Sequence, residues 1–166
     1  MVATVYLSES NGAGPTVTDN ITNCNYGNTD AFQLVPATWP IPVSENSYTK
    51  WWRIKLDALG GSNKIANLQI WKSVGAYVTG EGIQTNLRTS GYVNTTYVTP
   101  TKTTYTNQVM PIAAPGSANL GIAGVLSGEL TAQGYSDYMV SQLQTTGSTP
   151  PGNANQKTLT FQYDES

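Results

Sequence analysis

Histidine is absent from the 166-residue chain, and cysteine occurs once, as Cys24. Without an imidazole, histidine-based acid/base catalysis, Ser-His-Asp and Cys-His systems and imidazole metal ligation are all excluded. A lone thiol forms no internal disulfide, and Asn23 and Asn25 on either side of Cys24 supply no cation to lower its pKa. Charge is scarce too: Asp, Glu, Lys and Arg make up 11% of the residues, against about 25% in an ordinary globular protein. A net charge of −2 and a pI near 4.9 give no overall basic field for nucleic acid. No apolar run approaches the roughly 20 residues of a membrane span. The opening MVATVYLSESNG lacks the charged segment and apolar run that direct export. The expectation is a protein made in a reducing cytoplasm, with neither a nucleic-acid nor a membrane partner.

Few routes to chemistry remain. Two carboxylates facing each other across a cleft, as in glycosidases, stay open, because folding alone can bring such a pair together. Gly12-Ala13-Gly14 lacks the Lys-Ser/Thr of a phosphate-binding loop, and Gly121-Ile122-Ala123-Gly124 has no strand-to-helix context, so both are expected to be turns. A structural calcium ion on loop carbonyls with Asp19 or Asp30 also stays open. No enzyme activity and no cofactor are expected.

What the chain has in quantity is strand-forming and turn-forming residues. Ten Tyr, four Trp and many Val, Ile and Thr are broken into short runs by sixteen Gly and nine Pro. Strands are expected over 4–8, 31–35, 49–58, 64–72, 92–99, 138–145 and 158–163. Turn clusters such as Asn11-Gly12-Ala13-Gly14-Pro15 and Gly60-Gly61-Ser62-Asn63 separate them. Glycines at 121, 124 and 128 leave room for no more than a short turn in 119–130, each costing a helix about 1 kcal/mol. Residues 1–166 are therefore expected to form a single all-β domain: a two-sheet antiparallel sandwich of jelly-roll type with long Pro/Gly-rich loops, or, as the neighbouring alternative, a closed barrel. Two Pro-containing segments, 35–42 and 109–116, cannot donate a full ladder and read as arms lying across a core or a neighbour.

The stretch KWWRIKLDALGGSNKIANLQIWK, residues 50–72, holds three of the four tryptophans and five of the eight basic residues. Period-2 alternation places Trp52, Ile54 and Leu56 on one side of the first strand and Trp51, Arg53, Lys55 and Asp57 on the other. The return strand groups Ala66, Leu68 and Ile70 against Asn67, Gln69 and Trp71. Folded as a hairpin through the Gly-rich turn, the stretch would send Trp52, Ile54, Leu56, Leu68 and Ile70 to the core. Trp51, Arg53, Lys55, Gln69 and Trp71 would then share the opposite face. Two readings of that face stand. It is a docking surface, since Trp and Arg dominate interface hot spots, or it is buried beneath a loop with the cations snorkelling past the rings. Trp39, in the first Pro-rich arm, is the further candidate for partner docking.

Several segments resemble a known group. MVATVYLSESNGAGPTVTDNIT, Pro40-Ile41-Pro42 followed by Tyr48-Thr49-Lys50, IANLQIWKS, SDYMVSQLQ and FQYDES resemble virion structural proteins of tailed bacteriophages. More narrowly, they are similar to the small β-sandwich proteins that decorate or cement icosahedral heads. The resemblance lies in strand and turn patterns spread over most of the chain. It implies a non-enzymatic protein on the head exterior, multimeric, with a trimer among the options, whose partners are the major capsid protein and neighbouring copies of itself. It carries over no catalytic residue and no metal. The alternatives are a carbohydrate-binding module with Trp51, Trp71 and nearby tyrosines as its platform, and a tail or neck component of a virion.

Overall fold

The computed structural model describes residues 2–152 and 156–166. Among the described residues ten strands form: β1 Thr4–Asn11, β2 Thr16–Thr18, β3 Lys50–Ala58, β4 Ile65–Val74, β5 Glu81–Thr85, β6 Gln108–Val109, β7 Glu129–Leu130, β8 Gly134–Tyr135, β9 Met139–Thr145 and β10 Thr158–Glu165. All pairings are antiparallel. A seven-stranded sheet runs β2-β1-β3-β9-β5-β6 with β8 also on β3, and a three-stranded sheet runs β10-β4-β7. The described residues contain no helix, and Ile122–Val125 close the short turn expected in the glycine-rich window. The expected all-β, two-sheet antiparallel architecture is what forms.

The expected hairpin does not form. β3 is hydrogen-bonded to β1, β8 and β9 in the large sheet, whereas β4 lies in the small sheet between β10 and β7. Chain reversal through Leu59–Lys64, with Gly60 at φ 65°, thus crosses from one layer to the other. The apolar faces meet head-on instead of lying side by side. Leu7, Trp52, Ile54 and Met139 of the large sheet close on Ile70 and Phe161 of the small one, with Leu120 between them. Fully burying each such aliphatic or aromatic side chain contributes about 1.5–3 kcal/mol.

A bulge corrects the expected face of β4. Gln162 stands opposite Gln69 and Asp164 opposite Ala66, so β4 carries one extra residue there, and Asn67 absorbs it at φ 53°. The phase slips by one position. Ile65, at 0% exposure, joins Leu68 and Ile70 in the core, and Ala66 leaves it.

Two expected strands are loops. Residues 31–35 belong to a long irregular segment, and 92–99 form no ladder. The second case has a visible cause: buried amide side chains stand where strand partners would. Asn86 Nδ2 donates to Tyr138 O while Asn86 Oδ1 accepts from Val140 N, and Nδ2 also reaches Thr95 Oγ1. Gln142 Oε1 accepts from Tyr105 N, and its Nε2 donates to Ser47 O and Thr103 O. Asn119 does the same for β4, accepting from Ile70 N and donating to Ile70 O. The contacts to Thr95, Thr103 and Tyr105 lay residues 92–106 across the outer face of the large sheet. All three amides satisfy backbone groups that would otherwise cost about 1–3 kcal/mol each.

Candidate docking surface

Trp51, Arg53 and Lys55 lie on the outer face of β3, opposite Ser10, Ser8 and Tyr6 of β1. Trp51 projects there but is 2% exposed. Tyr97, from the covering segment, and Tyr138 approach it edge-on with ring centroids at 5.1 and 5.6 Å. The Trp51 indole N–H donates to Thr49 Oγ1, and Tyr97 O–H donates to Gly12 O. Arg53 continues the row, its guanidinium 4.0 Å from the Tyr135 ring centre and 4.5 Å from that of Tyr138. Lys55 ends the row in an ion pair with Asp19 at 2.7 Å. Lys55, Ser8 and Tyr135 all donate to the Asp19 carboxylate, which holds its pKa below the ordinary value, with the Lys55 contact the largest cause. Burial is the main cause that pushes the Tyr97 hydroxyl up to about 12. Lys55 and Asp19 thus satisfy each other within the chain, and Arg53 is held by the two rings, with its Nε buried and without a hydrogen bond among the described residues.

Gln69 and Trp71 are not part of this face. Both point outward from the small sheet, where Gln69 is buried and stands opposite Gln162, and half-buried Trp71 stands opposite Thr160. The five-residue surface expected from alternation is therefore divided between two layers. Trp51 is covered by residues 92–106, a segment different from either Pro-rich arm.

Trp39 is 47% exposed. Phe32, Val35 and Val43 are also exposed large apolar side chains. Pro36, Pro40 and Pro42 remove ladder donors here, and the segment is held by local backbone contacts instead. Thr38 N and Trp39 N donate to Val35 O, and Asn28 N donates to Trp39 O. The result is a ladder-free arm held by backbone contacts, with Phe32, Val35, Trp39 and Val43 turned to solvent while Leu34 and Ile41 pack inward.

Sequence reasoning overlooked an internal polar cluster. Lys50 and Glu9 lie on the inner face of the large sheet, in phase with Trp52 and Leu7, and their side chains are 1% and 0% exposed. Lys50 Nζ donates to Glu9 Oε1 and to Ala31 O, each at 2.6 Å. Asn11 Nδ2 bridges Glu9 Oε1 and Asp30 Oδ1. Tyr26 O–H donates to Ser141 Oγ in the same region, and burial drives its pKa far up. Cys24 is held neutral by burial, with its thiol pushed up to about 12, and Glu9 adds to the effect. The signal was present in the alternation, which assigns both Lys50 and Glu9 to the core face.

These groups do not make an open reaction centre. Glu9 and Asp30 are brought together, but Glu9 is sealed from solvent and bound to Lys50. Asp19 and Asp30, the carboxylates considered for calcium, are engaged by hydrogen-bond donors: Lys55, Ser8 and Tyr135 on one, Asn11 and Gly12 on the other. Among the described residues, no group of three or more His, Cys, Asp or Glu is placed to hold a metal. A shallow groove of about 390 Å³ is lined by Ala66, Asn67, Thr89, Ser117, Ala118, Leu126 and Ser127, with no titratable side chain among them. No family model, curated protein or solved structure matches the chain.

Proposed function

We propose that the chain is a non-enzymatic virion structural protein of a tailed phage, a decoration protein that binds the outside of the head and stabilises contacts between major capsid subunits. The observation that carries the docking part is the apolar arm: Phe32, Val35, Trp39 and Val43 stand exposed on a backbone that offers no strand pairing. Exposed apolar groups of this kind mark protein contact sites, and a ring held on a fixed backbone loses little entropy on docking. The resemblance of the strand and turn segments to head decoration proteins supplies the identity of the partner. Neighbouring copies are the second partner, and repeated attachment over a head strengthens a contact that is weak singly. The sugar-platform alternative has less support, because Trp51 lies under Tyr97 and Tyr138 while Trp71 belongs to the other sheet.

Sedimentation with purified, undecorated heads tests this. The intact protein is expected to pellet with heads at saturable occupancy, and Trp39→Ala to lower that occupancy while leaving the thermal midpoint unchanged. Binding to tails or necks but not heads would move the protein to another part of the virion. Binding to glycans with no virion attachment would end the proposal.

A further inference from the structure

β10 is the outer strand of the small sheet and, among the described residues, pairs with β4 alone. The other outermost strands are short: β2 has three residues, and β6 and β7 have two each. β10 runs for eight residues, Thr158–Glu165, without a proline. Both irregularities in its pairing fall on the partner. Thr158 to Leu159 is matched by Val74 to Lys72, and Gln162 to Asp164 by Gln69 to Ala66, so the extra residues are in β4. A long, straight, unbulged edge is the kind that natural sheets usually guard, because its free N–H and C=O groups template another strand.

The side chains on this edge are incompletely buried on the core side. Leu159, Phe161 and Tyr163 pack against the core yet stay half-exposed, while Thr158, Gln162 and Asp164 face solvent. A further strand alongside would finish covering the inward three. The sequence TLTFQYD reads alike from both ends around its centre, polar and apolar in alternation. Antiparallel pairing about Phe161 would set Phe161 against itself, Leu159 against Tyr163, Thr160 against Gln162 and Thr158 against Asp164. No charge meets a like charge, since Asp164 and Glu165 of the two copies fall at opposite ends.

We propose that β10 pairs antiparallel with β10 of a second copy across a two-fold axis at Phe161, merging two three-stranded sheets into one. Residue-by-residue self-complementarity is what an isologous interface requires, and an unrelated strand would supply the ladder without that match. Cross-strand aromatic and aliphatic pairs add to the ladder on the core side. This contact gives a site to the self-association in the proposed function and does not depend on the capsid part of it.

Sedimentation velocity over a concentration series tests the pairing with two double variants on the outward face. Thr160→Lys with Gln162→Lys opposes like charges twice across the axis, whereas Thr160→Lys with Gln162→Glu opposes unlike charges at the same two places. The intact protein and the Lys/Glu variant are expected to show a reversible dimer, the Lys/Lys variant a monomer with an unchanged circular dichroism spectrum. Amide exchange over 159–165 should slow with concentration only in the two that dimerise. A monomeric intact protein, a Lys/Lys variant that associates as the intact protein does, or a Lys/Glu variant that stays monomeric would each overturn the pairing. Head co-sedimentation of the Lys/Lys variant reports on the capsid contact separately.

Discussion

Lys50 and Glu9 show how much one buried pair constrains. Burying two charges costs several kcal/mol each before their attraction and hydrogen bonds offset it. Here the offset comes from the 2.6 Å contact, Ala31 O on Lys50 and Asn11 Nδ2 on Glu9. The other carboxylate oxygen, Glu9 Oε2, makes no hydrogen bond among the described residues, so the pair is held with little to spare. Removing one partner alone leaves a buried charge. Glu9→Gln and Lys50→Met are each expected to lower unfolding stability by about 3–5 kcal/mol. The double variant should lose clearly less than the sum of the two, because neither remaining side chain is charged. Urea unfolding midpoints of the four proteins measure this coupling, and strict additivity would show that the charges are not acting on each other.

At the scale of elements, alternation was a sound guide to faces and a poor one to partners. It correctly put Trp52, Ile54 and Leu56 inward and Trp51, Arg53 and Lys55 outward. A hairpin and a crossing between layers require the same alternation, however, so the sequence of 50–72 could not tell them apart. The bulge at Asn67 escaped for another reason. One residue in the left-handed region reverses every later face, and Asn is among the few that adopt it without much penalty. Asn67 also donates to Asp164 Oδ2, which fastens the bulge to β10. Asn67→Gly and Asn67→Val both lose that contact, but only the β-branched side chain must also occupy φ 53°. The Val variant is expected to be about 1–2 kcal/mol less stable than the Gly variant in paired unfolding measurements. Equal stabilities would mean that the bulge moves elsewhere at no cost. The covered outer face was legible only as one of two readings, because Gln142, whose amide pins Thr103 and Tyr105, is far from them in sequence, and nothing in the alternation shows that the nearer Asn86 reaches Thr95. Trp39 was legible by itself, since prolines on both sides leave its backbone no place in a sheet.

For the whole molecule, scarcity of charge and absence of histidine shape the response to pH. On the acid side, Asp19 titrates below its ordinary 3.8, chiefly through Lys55 and then Ser8, and Glu165 below its ordinary 4.5, through Ser62 Oγ and Ala3 N. A carboxylate with a depressed folded pKa contributes stability that is fully present above its unfolded value and is lost as pH falls through the folded one. On the alkaline side the sign follows from burial of neutral phenols. Tyr77 and Tyr97 are pushed up from 10.0 to about 12, and Tyr26 and Tyr92 further still, with burial the first cause in each. The unfolded chain ionises these tyrosines from 10.0 upward while the folded chain does not, so their contribution is complete below that pH and drains away above it. Between the two limits no histidine titrates, but Cys24, held neutral up to about 12 by burial in the folded chain, ionises from 9.0 in the unfolded one, so its contribution is the first to drain away as pH rises. The thermal midpoint is therefore expected to be level from about pH 5 to 8 and to fall below about pH 4 and above about pH 9. The tyrosinate absorbance of Tyr26, Tyr77, Tyr92 and Tyr97 should appear late and together with unfolding, because these buried phenols ionise only as their cover opens. Ionisation of Tyr97 at about pH 10, read as the absorbance that Tyr97→Phe removes, with the midpoint unchanged would show that residues 92–106 do not stay on the sheet in solution, and would return Trp51 to the surface.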